Sequence, residues 1–530
     1  MDFTALGYDI PKFPVEIWET ILLHLSRAGD LYNVSLACRY LNFVTRNLLY
    51  KHLYLDPNHY AVYTLAFLDN HPLLRQQVSE LSLLPPIMRN ISQDVQDNAE
   101  AIYPQLDLPL APPPPVTLRA LLWSPLGMIS NPQRSGVHAE TCIRPIFDYL
   151  PRFTNLSFLS IIGDCVPANF LRWVLPLQSL TSLELRETQI ASGLNRAIPC
   201  GPLPLRRLTI IKCWTKAYTV DNPVPTHLCD ALLSNSPHLE SLSLDYFVER
   251  AAYNLISDLP NPPALKSLSC TGFGLQDHDS IMLSRVFSSL GSLTTLNISR
   301  IPRELGPILP VQALPNLTTI TGQIRSIGVF LHGRPPRPLK NITFVDFPTS
   351  TAGGLSWECI LIAFLEGLRQ MNVDLQRLTF NLASWSEELF LCICQLFPKI
   401  RELKMQFILG PGVDEYFRIS FGPRFLPRLN CLEVLHIFEK NMKFKTQTRL
   451  PLCPKGVLIP TFEPLNLTEA DNEEISEAPI HLRRWEKMCP SLREVAFSRE
   501  IWWRRKPSEP GGWSLIDDTL PELTSEHGGV

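Results

Sequence analysis

One short apolar spacing, Leu-x-x-Leu-x-Leu, recurs along most of this 530-residue chain. It begins at Val78, Leu81 and Leu83 and returns at Leu118, Leu121 and Trp123. Leu156/Leu159/Ile161, Leu180/Leu183/Leu185, Leu205/Leu208/Ile210, Leu239/Leu242/Leu244, Leu265/Leu268/Cys270 and Leu293/Leu296/Ile298 follow. Leu317/Ile320 is a weaker copy with Gly322 in third place. Leu339/Ile342/Phe344, Leu375/Leu378/Phe380, Ile400/Leu403/Met405, Leu432/Leu435/Ile437 and Leu492/Val495/Phe497 complete the series. Ten steps separate Leu156 from Leu432, a mean period of 27.6 residues. The last two apolar residues of each copy are two apart, so a short strand aims both to one side. No copy can bury its leucines alone; neighbours must stack into a continuous core.

Between the copies the period changes to that of a helix. Leu283, Val286, Phe287 and Leu290 keep i, i+3, i+4, i+7 spacing, as do Leu361, Phe364, Leu365 and Leu368. Ser386-Glu387-Glu388 opens another helix, running to Phe397. Pro237, Pro263, Pro315, Pro398 and Pro490 each stand two residues before a first apolar position. Proline cannot continue a helix, so each stops one and releases the next strand.

The span from about 78 to 498 resembles a leucine-rich-repeat domain, whose period is about 20–29 residues. The resemblance implies a solenoid, or horseshoe, with strands inside the curve. Some 14 copies at about 4.8 Å per strand would give a concave sheet of roughly 65 Å. Cys213 falls where such repeats favour Asn or Cys, to satisfy backbone groups as the chain turns off the strand.

The residues ahead of the repeats read differently. Pro14 suits the first position of a helix, and Glu16 suits its positive first turn. Ile17, Ile21 and Leu25 draw one apolar stripe. Gly29 breaks the chain, and Asp30 is expected to cap a second helix carrying Leu31, Val34, Cys38 and Leu41. A third helix is expected over 44–50. Three helices in about 40 residues bury too little to stand well alone, so their remaining apolar surface needs a partner.

Pro14, Glu16, Ile17, Ile21, Leu25, Asp30, Leu31 and Cys38 match the pattern of an F-box, which this stretch resembles. Phe13 replaces the usual Leu, Ala37 a Val, and Leu41 a common Trp. The resemblance implies that Phe13, Pro14, Ile17, Ile21, Leu25, Leu31, Val34 and Cys38 would hold a Skp-family adaptor of a cullin-RING ubiquitin ligase. The alternative is that Ile17, Ile21, Leu31 and Val34 are the core of an N-terminal cap, buried against the Val78 copy.

The expected fold class is therefore α/β. A three-helix F-box unit over 1–56 precedes an irregular leucine-rich-repeat solenoid over 57–499, with loop insertions near 88–116 and 439–480. A cap and tail occupy 500–530, with Trp502, Trp503 and Trp513 covering the last repeat. Glu469-Ala470-Asp471-Asn472-Glu473-Glu474 reads as a solvated loop.

Composition excludes several functions. A net charge of -3 offers no general attraction to nucleic acid or anionic membrane. No basic segment followed by an apolar run opens the sequence, and no run of about 18 apolar residues occurs. Thirteen cysteines are scattered without CxxC pairs, which suits a reducing compartment, cytoplasmic or nuclear. Cys392 and Cys394 lie in a helical pattern and read as core thiols. There is no P-loop, HExxH or GxSxG; Gly272 and Gly274 lack a third glycine, and no histidine pairs with a second histidine at i+4. No cofactor, metal or catalytic residue is expected.

F-box and repeats together resemble the F-box/leucine-rich-repeat substrate receptors, including the large fungal set. The implied role is a non-catalytic receptor that holds an unknown substrate protein for a Skp-cullin-F-box ligase. A scaffold not engaged in ubiquitination is the alternative. Residues between the apolar positions face outward; charged and aromatic ones make better anchors than Ser or Thr. The substrate contact is therefore expected at Arg377, Glu402, Lys404, His436 and Phe438, against the bland alternative that such residues are polar because water faces them.

Overall fold

The computed structural model describes residues 15–23, 28–55, 59–83, 146–163, 165–166, 170–190, 202–215, 226–244, 256, 264–270, 280–299, 301, 305–331, 337–345, 357–409, 415–439, 469–497, 502–506 and 512–516. They fall into two compact units, Met1–Leu265 and Lys266–Val530, each a mixture of helices and long runs of paired strands.

The first unit begins with three helices, α1 (Val15–Leu23), α2 (Ala28–Ala37) and α3 (Arg39–Lys51). Two local expectations are corrected. Asp30 does not cap α2: the helix starts at Ala28, so Gly29 and Asp30 occupy its first turn, where a carboxylate is still favoured by the helix dipole. The stripe from Leu31 to Leu41 is not one helix. Cys38 is extended (φ -160, ψ 165), and its Sγ accepts the Leu41 N–H at 3.4 Å, capping a third helix that starts at Arg39 rather than near Val44. Leu22 and Val44 are buried within the bundle. Buried Thr45 returns its hydroxyl to the Leu41 carbonyl at 2.6 Å, and Asn42 donates to the Ser35 carbonyl at 3.1 Å.

Helix α3 runs straight into β1 (His52–Leu55), parallel to β2 (Glu80–Leu83). The series expected to begin at Val78 thus begins one copy earlier. Tyr50, Leu53 and Leu55 carry the same spacing with Tyr in first place. The sheet then passes directly to β3 (Phe158–Ile162), parallel to β2. The copy expected at Leu118, Leu121 and Trp123 lies outside the described residues, as does the proline-rich insertion near 88–116. Strand β3 is followed by β4 (Cys165–Val166), β5 (Ser182–Arg186), β6 (Gln189–Ile190), β7 (Arg207–Ile211), β8 (Trp214–Thr215) and β9 (Ser241–Leu244).

The main ladder is β1-β2-β3-β5-β7-β9, all parallel, and its register aligns the repeat. Leu81, Leu159, Leu183, Leu208 and Leu242 form one row and Leu83, Ile161, Leu185, Ile210 and Leu244 the next; all ten are buried. One carbonyl per step accepts two successive N–H groups from the next. Ser79 O takes those of Ser157 and Phe158, Ser157 O those of Thr181 and Ser182, and Thr181 O those of Arg206 and Arg207. This pairing satisfies the backbone where the chain enters each strand.

Strands β4, β6 and β8 form a second, three-stranded parallel ladder. The chain turns off the main strands through three left-handed residues, Gly163 (φ 68), Glu187 (φ 49) and Lys212 (φ 52). After Glu187 and Lys212 the next residue is a small donor. Thr188 Oγ1 reaches the Ile161 carbonyl at 3.0 Å, and Cys213 Sγ the Leu185 carbonyl at 3.5 Å. The role expected of Cys213 is the one it has, and Thr188 fills the same place one copy earlier.

The second unit continues the same construction with β10 (Ser267–Cys270), β11 (Thr295–Ile298), β12 (Thr319–Gly322), β13 (Asn341–Phe344), β14 (Arg377–Ser384), β15 (Glu402–Leu409), β16 (Val434–Glu439) and β17 (Glu494–Ala496), parallel in that order. Gly322 explains its weak copy: a Cβ there would stand 2.4 Å from the Ile298 carbonyl oxygen. Helices fill the intervals, among them Ser280–Ser289, Trp357–Gln370 and Glu387–Leu396, all foreseen from spacing. Ser386 Oγ caps the last by accepting the Leu389 N–H at 3.3 Å.

One expectation for this unit is corrected. The acidic run from Glu469 is not a loop; it is the first part of a helix, Glu469–Met488. Carboxylates favour the positive start of a helix, and Leu482 and Trp485 tie its other half into the core. Trp485 joins an aromatic cluster: Phe390 lies 4.9 Å from Phe421 and 4.7 Å from Phe425, and Phe421 lies 5.3 Å from Trp485. The ladder then reverses. Strands β18 (Trp502–Arg505) and β19 (Trp513–Ile516) add antiparallel to β17, with Trp503 and Trp513 buried.

Candidate functional site

Two surfaces stand out. The first is on the helical unit. Helix α1 turns Leu22 inward and leaves Ile17 and Ile21 46% and 45% exposed. Helix α2 exposes Leu36 (65%), and α3 exposes Tyr40. Leu31, Val34 and Cys38 are half-buried. Phe13, Pro14 and Leu25 lie outside the described residues. Among the described side chains of these helices the buried apolar ones are Leu22 and Val44, while Ile17 and Ile21 of the stripe singled out in the sequence stay open. Four large exposed apolar side chains on so short a stretch are more than scattered surface residues require. Leu36 and Tyr40 were missed because the break at Cys38, invisible to a periodicity count, separates their helices.

The second surface is the polar side of the strands from β14 to β18. Residues between the buried rows stand here in lateral register: Arg377, Glu402, Val434, Glu494 and Arg504 form one line across five strands. Arg377 Nε lies 3.2 Å and Lys404 Nζ 2.7 Å from the Glu402 carboxylate. One residue before the strands, Glu433 lies 3.7 Å from both Arg401 and Arg493. Glu494 receives His436 Nε2 at 3.0 Å and Arg504 Nη2 at 3.1 Å.

His436 does not face solvent as expected of a contact residue. It is 2% exposed, and its ring lies 4.5 Å from that of Trp502. The cause is the reversal of the ladder: β18 sets Trp502 opposite Ala496, which is itself the register partner of His436. Burial pushes the His436 imidazole below its ordinary range, and nearby Lys404 adds to this against the opposing hydrogen bond to Glu494. The hydrogen bond from His436, with help from Arg504, holds the Glu494 carboxyl below its usual value. At neutral pH a neutral imidazole therefore donates to a carboxylate. Phe438 is the register partner of Gln406; its side chain lies outside those described.

Among the described residues no group of three or more His, Cys, Asp or Glu is placed to hold a metal ion. Burial pushes the Cys394 thiol up to about 12 and raises that of Cys392, so both remain protonated. No described helix is long and apolar enough to cross a membrane.

Comparison with known proteins supplies one match and one blank. No curated protein matches the chain. A family model described as F-box-like matches residues 10–56, the stretch that forms α1, α2, α3 and β1. F-box domains generally bind Skp-type adaptors of cullin ligases. The chain carries an F-box-like domain over residues 10–56, on the helices that expose Ile17, Ile21, Leu36 and Tyr40.

Proposed function

We propose that this chain is a non-catalytic substrate receptor of a Skp-cullin-F-box type ubiquitin ligase, acting in the cytoplasm or nucleus. The observation that carries the reading is the exposed apolar stripe of Ile17 and Ile21 within the F-box-like match, on a bundle whose core is made without them. In this reading the Skp-family adaptor covers that stripe together with Leu31, Val34 and Cys38. The strand–helix copies are leucine-rich repeats, and their polar strand side holds a substrate protein. The receptor contributes proximity and orientation, raising the effective concentration of substrate lysines at the ligase.

The test is a titration of the purified chain against a Skp-family adaptor. Ile17→Asp and Leu31→Asp each bury an unpaired carboxylate in the complex and are expected to cost several kcal/mol of binding. Melting of the strand units stays as in the parent chain. Absence of binding by the parent chain removes the reading and leaves the helices as a cap on an interaction scaffold.

A further inference from the structure

The ion pairs on the strands β14 to β18 are unequal in a way that a merely solvated surface does not require. Glu402, Glu433 and Glu494 each take two cationic or hydrogen-bonding partners, and their side chains are only 16–30% exposed. Arg377, Arg401, Arg493 and Arg504 are 59–72% exposed. The carboxylates are thus held down between the cations, and the guanidinium groups stand over them. With Lys404 these three clusters hold five permanent cations against three carboxylates, and His436 beside Glu494 stays neutral. Each guanidinium spends part of its fork on its glutamate and keeps further N–H donors for an oxygen acceptor.

We infer that this side of β14 to β18 docks an extended acidic segment of a partner protein, with Asp and Glu side chains set against Arg377, Arg401, Arg493 and Arg504. Charge complementarity selects the occupant, because the outermost layer of the network is cationic although the whole chain carries a net charge of -3. Spacing agrees. Arg401 precedes β15 and Arg493 precedes β17, two strand steps or roughly 10 Å apart. An extended peptide in the polyproline II form, rising about 3.1 Å per residue with three residues per turn, covers that distance in three residues and keeps every third side chain on one face. A segment running across the strands with carboxylates at every third residue therefore meets one guanidinium after another. The inference rests on the receptor reading only in taking the docked protein to be the substrate.

The experiment is fluorescence anisotropy with a labelled twelve-residue peptide carrying Glu or Asp at every third position, titrated with the full chain. A peptide with Gln and Asn at those positions is the neutral control. The expected result is binding of the acidic peptide that weakens as salt is raised, and that falls about tenfold in Arg401→Gln/Arg493→Gln. Arg206→Gln removes an equally exposed arginine that pairs with Glu240 in the first unit, and should leave binding unchanged. Thermal melts confirm that all three chains fold. Equal binding of the neutral peptide, or no loss in the double variant, overturns the inference, as does binding confined to a phosphoserine version. Running the adaptor titration on the same samples separates the two ideas. Adaptor binding without peptide binding removes this surface alone, and peptide binding without adaptor binding removes the ligase reading alone.

Discussion

The helical stretch and the strand ladders use the same side chains to opposite ends. In the ladders, leucine and isoleucine at the repeat positions are buried, row upon row; in α1, Ile17 and Ile21 stay nearly half exposed. The difference lies in what each architecture can cover. A strand inside a stack has a copy on either side, and each added copy buries the rows of the one before it. Three helices within about 40 residues have one small interior, where Leu22 and Val44 are the buried apolar side chains among those described, and so short a stretch buries too little to cover a second stripe as well. Stacking hides apolar surface, whereas the short bundle presents it.

That contrast can be broken hardest in the aromatic cluster of the second unit. Trp485→Ala removes a fully buried ring packed against Phe421 and should cost about 3–5 kcal/mol by denaturant unfolding of that unit. Gly322→Ala comes next. Its new methyl meets the backbone of Ile298, which cannot swing aside like a flexible side chain, and a loss of about 1–3 kcal/mol is expected. Leaving the second unit as stable as before would show that the ladder has slack there.

Acid sharpens the comparison at the other end of the same unit. His436 titrates below its ordinary value of 6.5 when folded, so the unfolded chain takes up the proton first as pH falls. Stability is therefore full above that range and declines below it. Glu494, held below its ordinary 4.5, contributes stability above that value and loses it as pH falls further through its folded value. Hydrogen-exchange protection across 494–516, taken relative to the intrinsic rate at each pH, should fall between pH 7 and 5.5, and His436→Gln should flatten that fall. An unchanged slope in the variant would mean that the imidazole plays no part.

The smallest effect belongs to the open stripe. Ile17→Ala and Ile21→Ala should each change stability by no more than about 0.5 kcal/mol, since they leave the bundle interior untouched. Loss of several kcal/mol would show that these residues are core after all and would favour a cap over a docking surface.

Much of this was legible beforehand because two periodicities carry it. A spacing of two makes a strand with one buried side, and proline before the copy fixes where it starts; each copy from Val78 onward that falls on described residues is a strand, in register with its neighbours within its own unit. What escaped was local or distant. Tyr50 hid the first strand because an aromatic stood where an aliphatic was sought. Cys38 ended a helix through a single side-chain hydrogen bond that no periodicity reveals. The acidic run at Glu469 looked solvated because charge was weighed without Leu482 and Trp485, which anchor its far end.

Sequence alone thus determined which residues are apolar rows and where the chain changes from strand to helix, since both depend on neighbours a few positions away. Only the tertiary structure decided exposure. Arg377 and His436 are alike in sequence as polar residues between leucines. One stays open because the strands beside it carry small or oppositely charged side chains, and the other is sealed by a tryptophan that returns from 66 positions further on.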